Sequence, residues 1–173
     1  MLILFSGLPG TGKSAVADEL ARLLPAPVFS VDPIESAILP TGIEQSYATG
    51  LAAYGVAQSL VDTHLALGHT VVADAVNAVE EARTAWRKIA ESCGVELRVI
   101  HCVCSDERLH RERLAARRRN LPPEFQEPTW DDVQRPRAEF VPWSDEHLVI
   151  DSVRPLLENL TRILRYLGRP DRP

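Results

Sequence analysis

Residues Gly7 to Ser14 follow the spacing G-x-x-x-x-G-K-S, directly behind the apolar run Leu2–Phe5. Nothing else in the chain constrains its fold as strongly. This is the spacing of a Walker A phosphate loop. Glycines at 7, 10 and 12 admit tight or left-handed backbone that a side chain would block. Successive N–H groups can then turn inward as an anion nest. A helix starting near Gly12 or Lys13 adds its positive dipole end. The expected phosphate-binding set is Gly7, Leu8, Pro9, Gly10, Thr11, Gly12, Lys13, Ser14 and Ala15. Within it, Lys13 would reach the outer phosphates of ATP, and the Ser14 hydroxyl would hold Mg²⁺.

The flanks agree with the motif. Leu2–Phe5 suits a buried strand. Val16, Leu20, Leu23 and Leu24 recur at helical spacing, with Asp18, Glu19 and Arg22 between them. Lys13 is one of two lysines in an arginine-rich chain, the other being Lys88, so composition does not explain a lysine at that position.

At 173 residues the chain fits one domain with a sizeable core. Its net charge of -5 argues against uniform nucleic-acid coating. No apolar run approaches the roughly 20 residues of a membrane span. The N-terminal segment reads as a strand feeding a loop, not a signal peptide. Cys93, Cys102 and Cys104 read as reduced residues of a cytoplasmic protein. Cys102-x-Cys104 lacks a second pair to complete a metal site.

Strand-like segments recur at Leu2–Ser6, Val28–Val31, Thr70–Ala73, Glu96–Cys104 and His147–Ile150. Helical patterns alternate with them: Glu44–Leu67 (with a possible break near Gly50 or Gly55), Val79–Cys93, Ser105–Arg118, Thr129–Glu139 and Val153–Leu167. Such alternation implies an α/β fold, a parallel sheet covered on both faces. The stretch Asn120–Pro128 reads as a mobile loop, and the final "GRPDRP" as a frayed tail.

Asp32 ends the second strand. Strand carboxyl ends face the ligand crevice of such sheets, so Asp32 could take a proton from a substrate hydroxyl. It equally suits a helix N-cap, with Pro33 and Glu35 following. Asp74 ends the third strand after apolar residues, as a Walker B acid would for Mg²⁺; a turn aspartate is the alternative. Asn77 suits substrate orientation or a helix cap. Arg113 and Arg117 lie four apart on one face of an arginine cluster, where they could clamp phosphates. Arg108, Arg111, Arg118 and Arg119 are assigned to the surface. Tyr47, Tyr54 and Gln58 would line a pocket or simply pack. His101, Trp86, Trp130 and Trp143 read as packing residues.

The segments "GLPGTGKS", "VFSVD", "VVADAVN", "RERLAARR" and "PWSDEHLVID" together resemble the small P-loop kinases of the predicted-kinase group, often labelled AAA-type ATP-binding proteins. That group is similar to the kinase domain of phage polynucleotide kinase, chloramphenicol phosphotransferase, gluconate kinase and zeta toxins. The resemblance spans nearly the whole chain. It implies a three-layer αβα P-loop NTPase fold, with sheet order 2-3-1-4-5. It implies that Asp32 is the catalytic carboxylate, that Arg113 and Arg117 are the lid pair, and that Arg83 is a substrate or structural arginine. Val76 stands where relatives carry threonine. The expectation is a single domain over 1–173, with a lid near 113–130. Its function would be transfer of the γ-phosphoryl group of ATP to a small-molecule hydroxyl. A polynucleotide or nucleotide kinase and an ATP-binding switch with slow hydrolysis are the alternatives. Asp32, Lys13, Arg113 and Arg117 would be catalytic, and Ser14 and Asp74 would hold metal. Asp32, Asp74, Asn77, Arg83, Tyr47 and Tyr54 would meet substrate.

Overall fold

A computed structural model describes residues 1–170 of the chain, so the last part of the tail expected to fray lies outside the described residues. Five strands form one all-parallel sheet in the order β2-β3-β1-β4-β5. They are β1 (Leu2–Ser6), β2 (Val28–Ser30), β3 (Val71–Asp74), β4 (Leu97–Val103) and β5 (His147–Asp151). The helices are α1 (Lys13–Leu23), α2 (Val31–Ile38), α3 (Tyr47–Ala66), α4 (Glu80–Ser92), α5 (Glu107–Ala115), α6 (Trp130–Glu139) and α7 (Leu156–Tyr166). This is the α/β architecture expected from the alternating pattern and the strand order implied by the family resemblance.

The unbroken apolar run of β1 has a direct structural cause. Leu2 and Leu4 point into one core, with Ala53, Ala57 and Val61 of α3 and Trp86 of α4. Ile3 and Phe5 point into the other, with Val16 and Leu20 of α1 and Ile163 of α7. A central parallel strand is covered on both faces, so Leu2–Phe5 are all apolar; Ser6 at its end is buried with its hydroxyl donating to the Val76 carbonyl.

Several boundaries differ from the sequence expectation. The second strand stops at Ser30, and α2 begins at once, with Ser30 as N-cap. Asp32 therefore stands in the first turn of α2 and is not its cap. The break expected near Gly50 or Gly55 is absent: α3 runs unbroken from Tyr47. Its start is fixed by a reciprocal capping box between Ser46 and Thr49. Thr129 and Asp132 do the same for α6. Helix α5 ends at Ala115, so Arg117 follows the helix instead of sharing a face with Arg113.

The register gathers the strand ends. Asp74 pairs with Phe5 of β1 on one side and Ser30 of β2 on the other. The loop after β1, the first turn of α2 and the end of β3 thus share one edge, where open parallel sheets bind ligands.

Candidate active site

The loop from Gly7 to Gly12 carries three positive φ angles, at Gly7, Gly10 and Gly12. At Gly7 the reason is close approach as well as conformation. A Cβ there would stand 2.3 Å from the carbonyl oxygen of Cys102. Gly12 is the left-handed N-cap of α1, at φ +84. The N-terminus of α1 therefore opens into the loop with its first amides unpaired by any side chain. Behind the loop, the buried His110 ring holds the carbonyl of Pro9 at 2.7 Å through Nε2. Sequence reasoning passed over His110, which sits inside a charge-rich helix with no motif around it.

Two cavities meet at Lys13. The larger, about 730 Å³, is lined by Gly12 to Val16, Arg113, Arg117, Arg119 and the β5–α7 loop Ser152–Pro155. The smaller, about 300 Å³, holds Asp18, Ser30, Asp32, Asp74 and Leu121. Lys13, Ser14 and Arg119 line both. Lys13 is only 5% exposed, so the lysine is enclosed within the site.

Asp32 carries its contacts on Oδ2. Arg119 Nη1 donates to that oxygen at 2.7 Å, and Arg117 Nη2 stands 3.6 Å from it. Burial pushes the carboxyl upward. Lys13, Arg119 and Arg117 outweigh burial and hold it below the ordinary value of 3.8. Arg119 grips Glu127 with its remaining nitrogens, Nε to Oε1 at 2.7 Å and Nη2 to Oε2 at 2.6 Å. The sequence assigns Arg119 to the surface, whereas the structure puts it against the candidate base. The signal is invisible in sequence because the partners, Asp32 and Glu127, come from different segments.

Asp74 is buried, and Ser30 donates to its Oδ2 at 3.1 Å. Its Oδ1 is buried without a hydrogen-bond partner. An orphaned carboxylate oxygen beside Ser14 and Lys13 fits a Walker B acid waiting for a cation or its water. Among the described residues, no group of three or more His, Cys, Asp or Glu forms a metal cage. Mg²⁺ takes few protein ligands and completes its shell with phosphate and water. Burial and the Asp74 charge raise the Asp18 carboxyl in the same cavity.

Other candidates have different tasks. Arg113 donates to Oγ and the carbonyl of Ser152, at 2.7 and 3.1 Å, and so frames the large cavity. Arg83 is fully buried. Its nitrogens bond the carbonyls of Asn77, Ala78, Val141 and Pro142, and its guanidinium stacks on Trp143. Four of its five N–H donors are engaged by carbonyls and it lines neither cavity, so Arg83 pins the 140–143 segment. Asn77 adopts φ +52 and is also fully buried. Its side chain donates to the Phe5 carbonyl and accepts from Trp86 Nε1. The N-cap of α4 is Val79, so Asn77 caps no helix. The Tyr54 hydroxyl accepts from the Asn77 N–H at 3.2 Å. Tyr47, 83% exposed, lines neither cavity. Trp143 is more than packing: its Nε1 donates to Ser6 Oγ at the end of β1.

A family model described as "AAA domain" matches residues 2–140. No curated protein matches the sequence. Solved structures match over nearly the whole chain. A provisionally named kinase of Chloroflexus aurantiacus superposes with a TM-score of 0.78 at 18% identity, covering 95% of this chain and 97% of that one. The APS kinase CysC of Mycobacterium tuberculosis, in complex with AMPPNP and APS, gives 0.71 at 22% identity, covering 96% of both chains. Kti12 of Chaetomium thermophilum, in complex with ADP-AlF3, gives 0.70 at 16% identity, covering 96% and 98%. Identities this low establish the shared fold and nothing finer.

Proposed function

We propose, from the premise that this chain belongs to the AAA domain family, that it transfers the γ-phosphoryl group of ATP to a hydroxyl of a small molecule. One observation carries the reading. A carboxylate, Asp32, lines the cavity that meets the phosphate loop at Lys13 and Ser14. A loop that only bound nucleotide would have no use for an acceptor-sized chamber with an acid in its wall.

In this reading the large cavity takes ATP. Loop amides and Lys13 hold its phosphates. Ser14 and Asp74 would hold Mg²⁺, which supplies neutralisation of charge on the phosphate oxygens when bound. Asp32 orients the acceptor hydroxyl toward the γ-phosphorus and takes its proton as the new P–O bond forms; the bond to the β-phosphate oxygen breaks, leaving ADP. Phosphoryl transfer passes through a loose transition state that demands little of a base. A carboxyl held below its ordinary value is therefore adequate, since its main work is orientation. Arg117 and Arg119 line the large cavity and are placed to meet phosphate charge. Arg113 supports them by fixing the Ser152 wall.

The named kinases among the similar structures, APS kinase and gluconokinase, lend support at the level of reaction class. The small chamber, about 300 Å³, argues for a small acceptor over a polynucleotide end. The test is a panel of sugars, nucleosides, antibiotics and amino alcohols, scored for ADP release together with a mass gain of one phosphate. ADP release with no phosphorylated product across the panel would favour a nucleotide-binding switch.

A further inference from the structure

Four charged side chains close a ring beside the small cavity, whose wall includes two of them, Asp32 and Arg119. Arg119 bonds Asp32 through Nη1 and Glu127 through Nε and Nη2. Arg117 completes the circuit more loosely, with Nη2 3.6 Å from Asp32 Oδ2 and Nη1 3.6 Å from Glu127 Oε2. That Nη1 is buried with no hydrogen-bond partner. A buried guanidinium donor left unpaired is costly, so the ring holds Arg117 in an unsatisfied position.

Both arginines follow the end of α5 at Ala115 and precede α6 at Trp130, in chain that belongs to no helix or strand. Beyond the ring, the Gln126 N–H of this segment donates to Gln45 Oε1, just before α3, at 2.7 Å. Phe125 lies beneath the Arg119 guanidinium, 5.1 Å from ring centre to carbon. Arg119 also lines the cavity that contains the phosphate loop. One guanidinium thus borders both chambers, and its donors already serve carboxylates. It cannot hold Asp32 and Glu127 and also give those same N–H groups to a phosphate.

We propose that this ring is an autoinhibitory latch: Asp32 and Glu127 park Arg119 and Arg117 until nucleotide phosphates draw them away, which frees Asp32 for the acceptor. The inference rests on the kinase reading above and adds an order to it. Nucleotide binds first, because its phosphates are the anions that outcompete the two carboxylates. Acceptor binds second, to a carboxylate no longer carrying a guanidinium. Glu127 is then a positioning residue: it touches no substrate and acts by competing with phosphate for the arginines.

The latch makes a counterintuitive demand. Contacts that must break before a ligand binds lower its apparent affinity, so removing the Glu127 charge should tighten nucleotide binding. A purely structural role predicts the reverse, because a loosened lid segment would weaken binding. The experiment titrates the full chain with AMPPNP and Mg²⁺ by calorimetry, with adenosine as a phosphate-free control. Glu127→Gln should bind AMPPNP about three- to tenfold more tightly than wild type, as charged partners of this kind are worth that much. Its adenosine affinity should stay unchanged. Asp32→Asn supplies a second variant with the same expected direction, and Arg119→Ala should weaken AMPPNP. If Glu127→Gln and Asp32→Asn fold, by circular dichroism, yet bind AMPPNP no better than wild type, the latch is overturned while the kinase reading stands. Failure of wild type itself to bind AMPPNP would remove both.

Discussion

Arg119 and Asp32 lie 87 positions apart in the chain and share a 2.7 Å ion pair at the wall of the small cavity. With Lys13 and Arg117, the pair holds the Asp32 carboxyl below its ordinary value. If Asp32 orients the acceptor hydroxyl, Asp32→Asn keeps the shape and loses the anionic oxygen that aligns that hydroxyl and takes its proton. Turnover is expected to fall about 10²–10⁴-fold, the usual worth of positioned acid–base groups. Nucleotide should still bind. Single-turnover transfer measured beside equilibrium nucleotide binding checks this, and comparable turnover in the variant would end the assignment of Asp32.

Gly7 is the position where the loop tolerates least. Its φ of +146 is open to glycine, and a Cβ would meet the Cys102 carbonyl, a backbone atom that cannot swing aside. Gly7→Ala should therefore lose both nucleotide affinity and thermal stability. Gly42 offers the contrast: it also has positive φ, but no atom lies within 4 Å of an added Cβ. Gly42→Ala should cost only the strain of the left-handed backbone, about 1–2 kcal/mol, and leave AMPPNP binding intact. Thermal scans with and without nucleotide separate the two.

His101 gives the fold an acid-side pH dependence. Burial, then the nearby charges of His147 and Arg83, push its imidazole down to about 4 from 6.5. The folded protein therefore keeps His101 neutral where the unfolded chain protonates it. Below pH 6.5 the unfolded state binds more protons, so stability falls as pH drops from 6.5 toward about 4 and levels off below that value. His101→Gln should flatten this slope. Urea midpoints for both proteins across that range test it, and parallel slopes would assign the acid sensitivity to other groups.

The phosphate loop, the alternation of strands and helices and the strand-end position of Asp74 were legible because each rests on local spacing or on residues next to one another. The strand order came only through the family resemblance, and Asp32 proved to stand in the first turn of α2. The loop announces itself by glycines at fixed intervals, and β1 by an unbroken apolar run. What sequence did not disclose is pairing across long separation. Nothing near Arg119 distinguishes it from Arg118, yet Arg119 reaches Asp32 while Arg118 bonds only neighbouring carbonyls. The extent of α5 was equally hidden, and with it the assumption that Arg113 and Arg117 share a face. Tyr47 and Tyr54 illustrate the same limit: helical spacing groups them, but packing leaves Tyr54 half-buried against Asn77 and Tyr47 in solvent.

Asp74 tests the metal assignment separately from catalysis. Its Oδ1 is buried and unpartnered, while Oδ2 takes the Ser30 hydroxyl. If Oδ1 serves Mg²⁺ or its water, Asp74→Asn should leave ADP affinity in chelator nearly unchanged and diminish the gain that Mg²⁺ brings. Calorimetry with ADP, run with EDTA and then with Mg²⁺, reads the difference directly. An undiminished Mg²⁺ effect would reduce Asp74 to a strand-end residue that anchors Ser30.

Arg83 separates a structural arginine from a substrate-binding one. Its four carbonyl partners come from Asn77, Ala78, Val141 and Pro142, which tie the end of β3 to the segment before β5. Lysine cannot reproduce the planar fork, because the three donors of one ammonium nitrogen cannot span four carbonyls served by three separate nitrogens. Arg83→Lys should leave several buried carbonyls unpaired and destabilise the fold by about 1–3 kcal/mol. A substrate-binding arginine would behave differently: stability would hold and the acceptor KM would rise. Denaturant midpoints measured beside AMPPNP affinity decide between them. The structural role predicts a lower midpoint with nucleotide affinity of the folded protein within about twofold of wild type, since Arg83 lines neither cavity. An unchanged midpoint would mean that the guanidinium is not what holds the 140–143 segment in place.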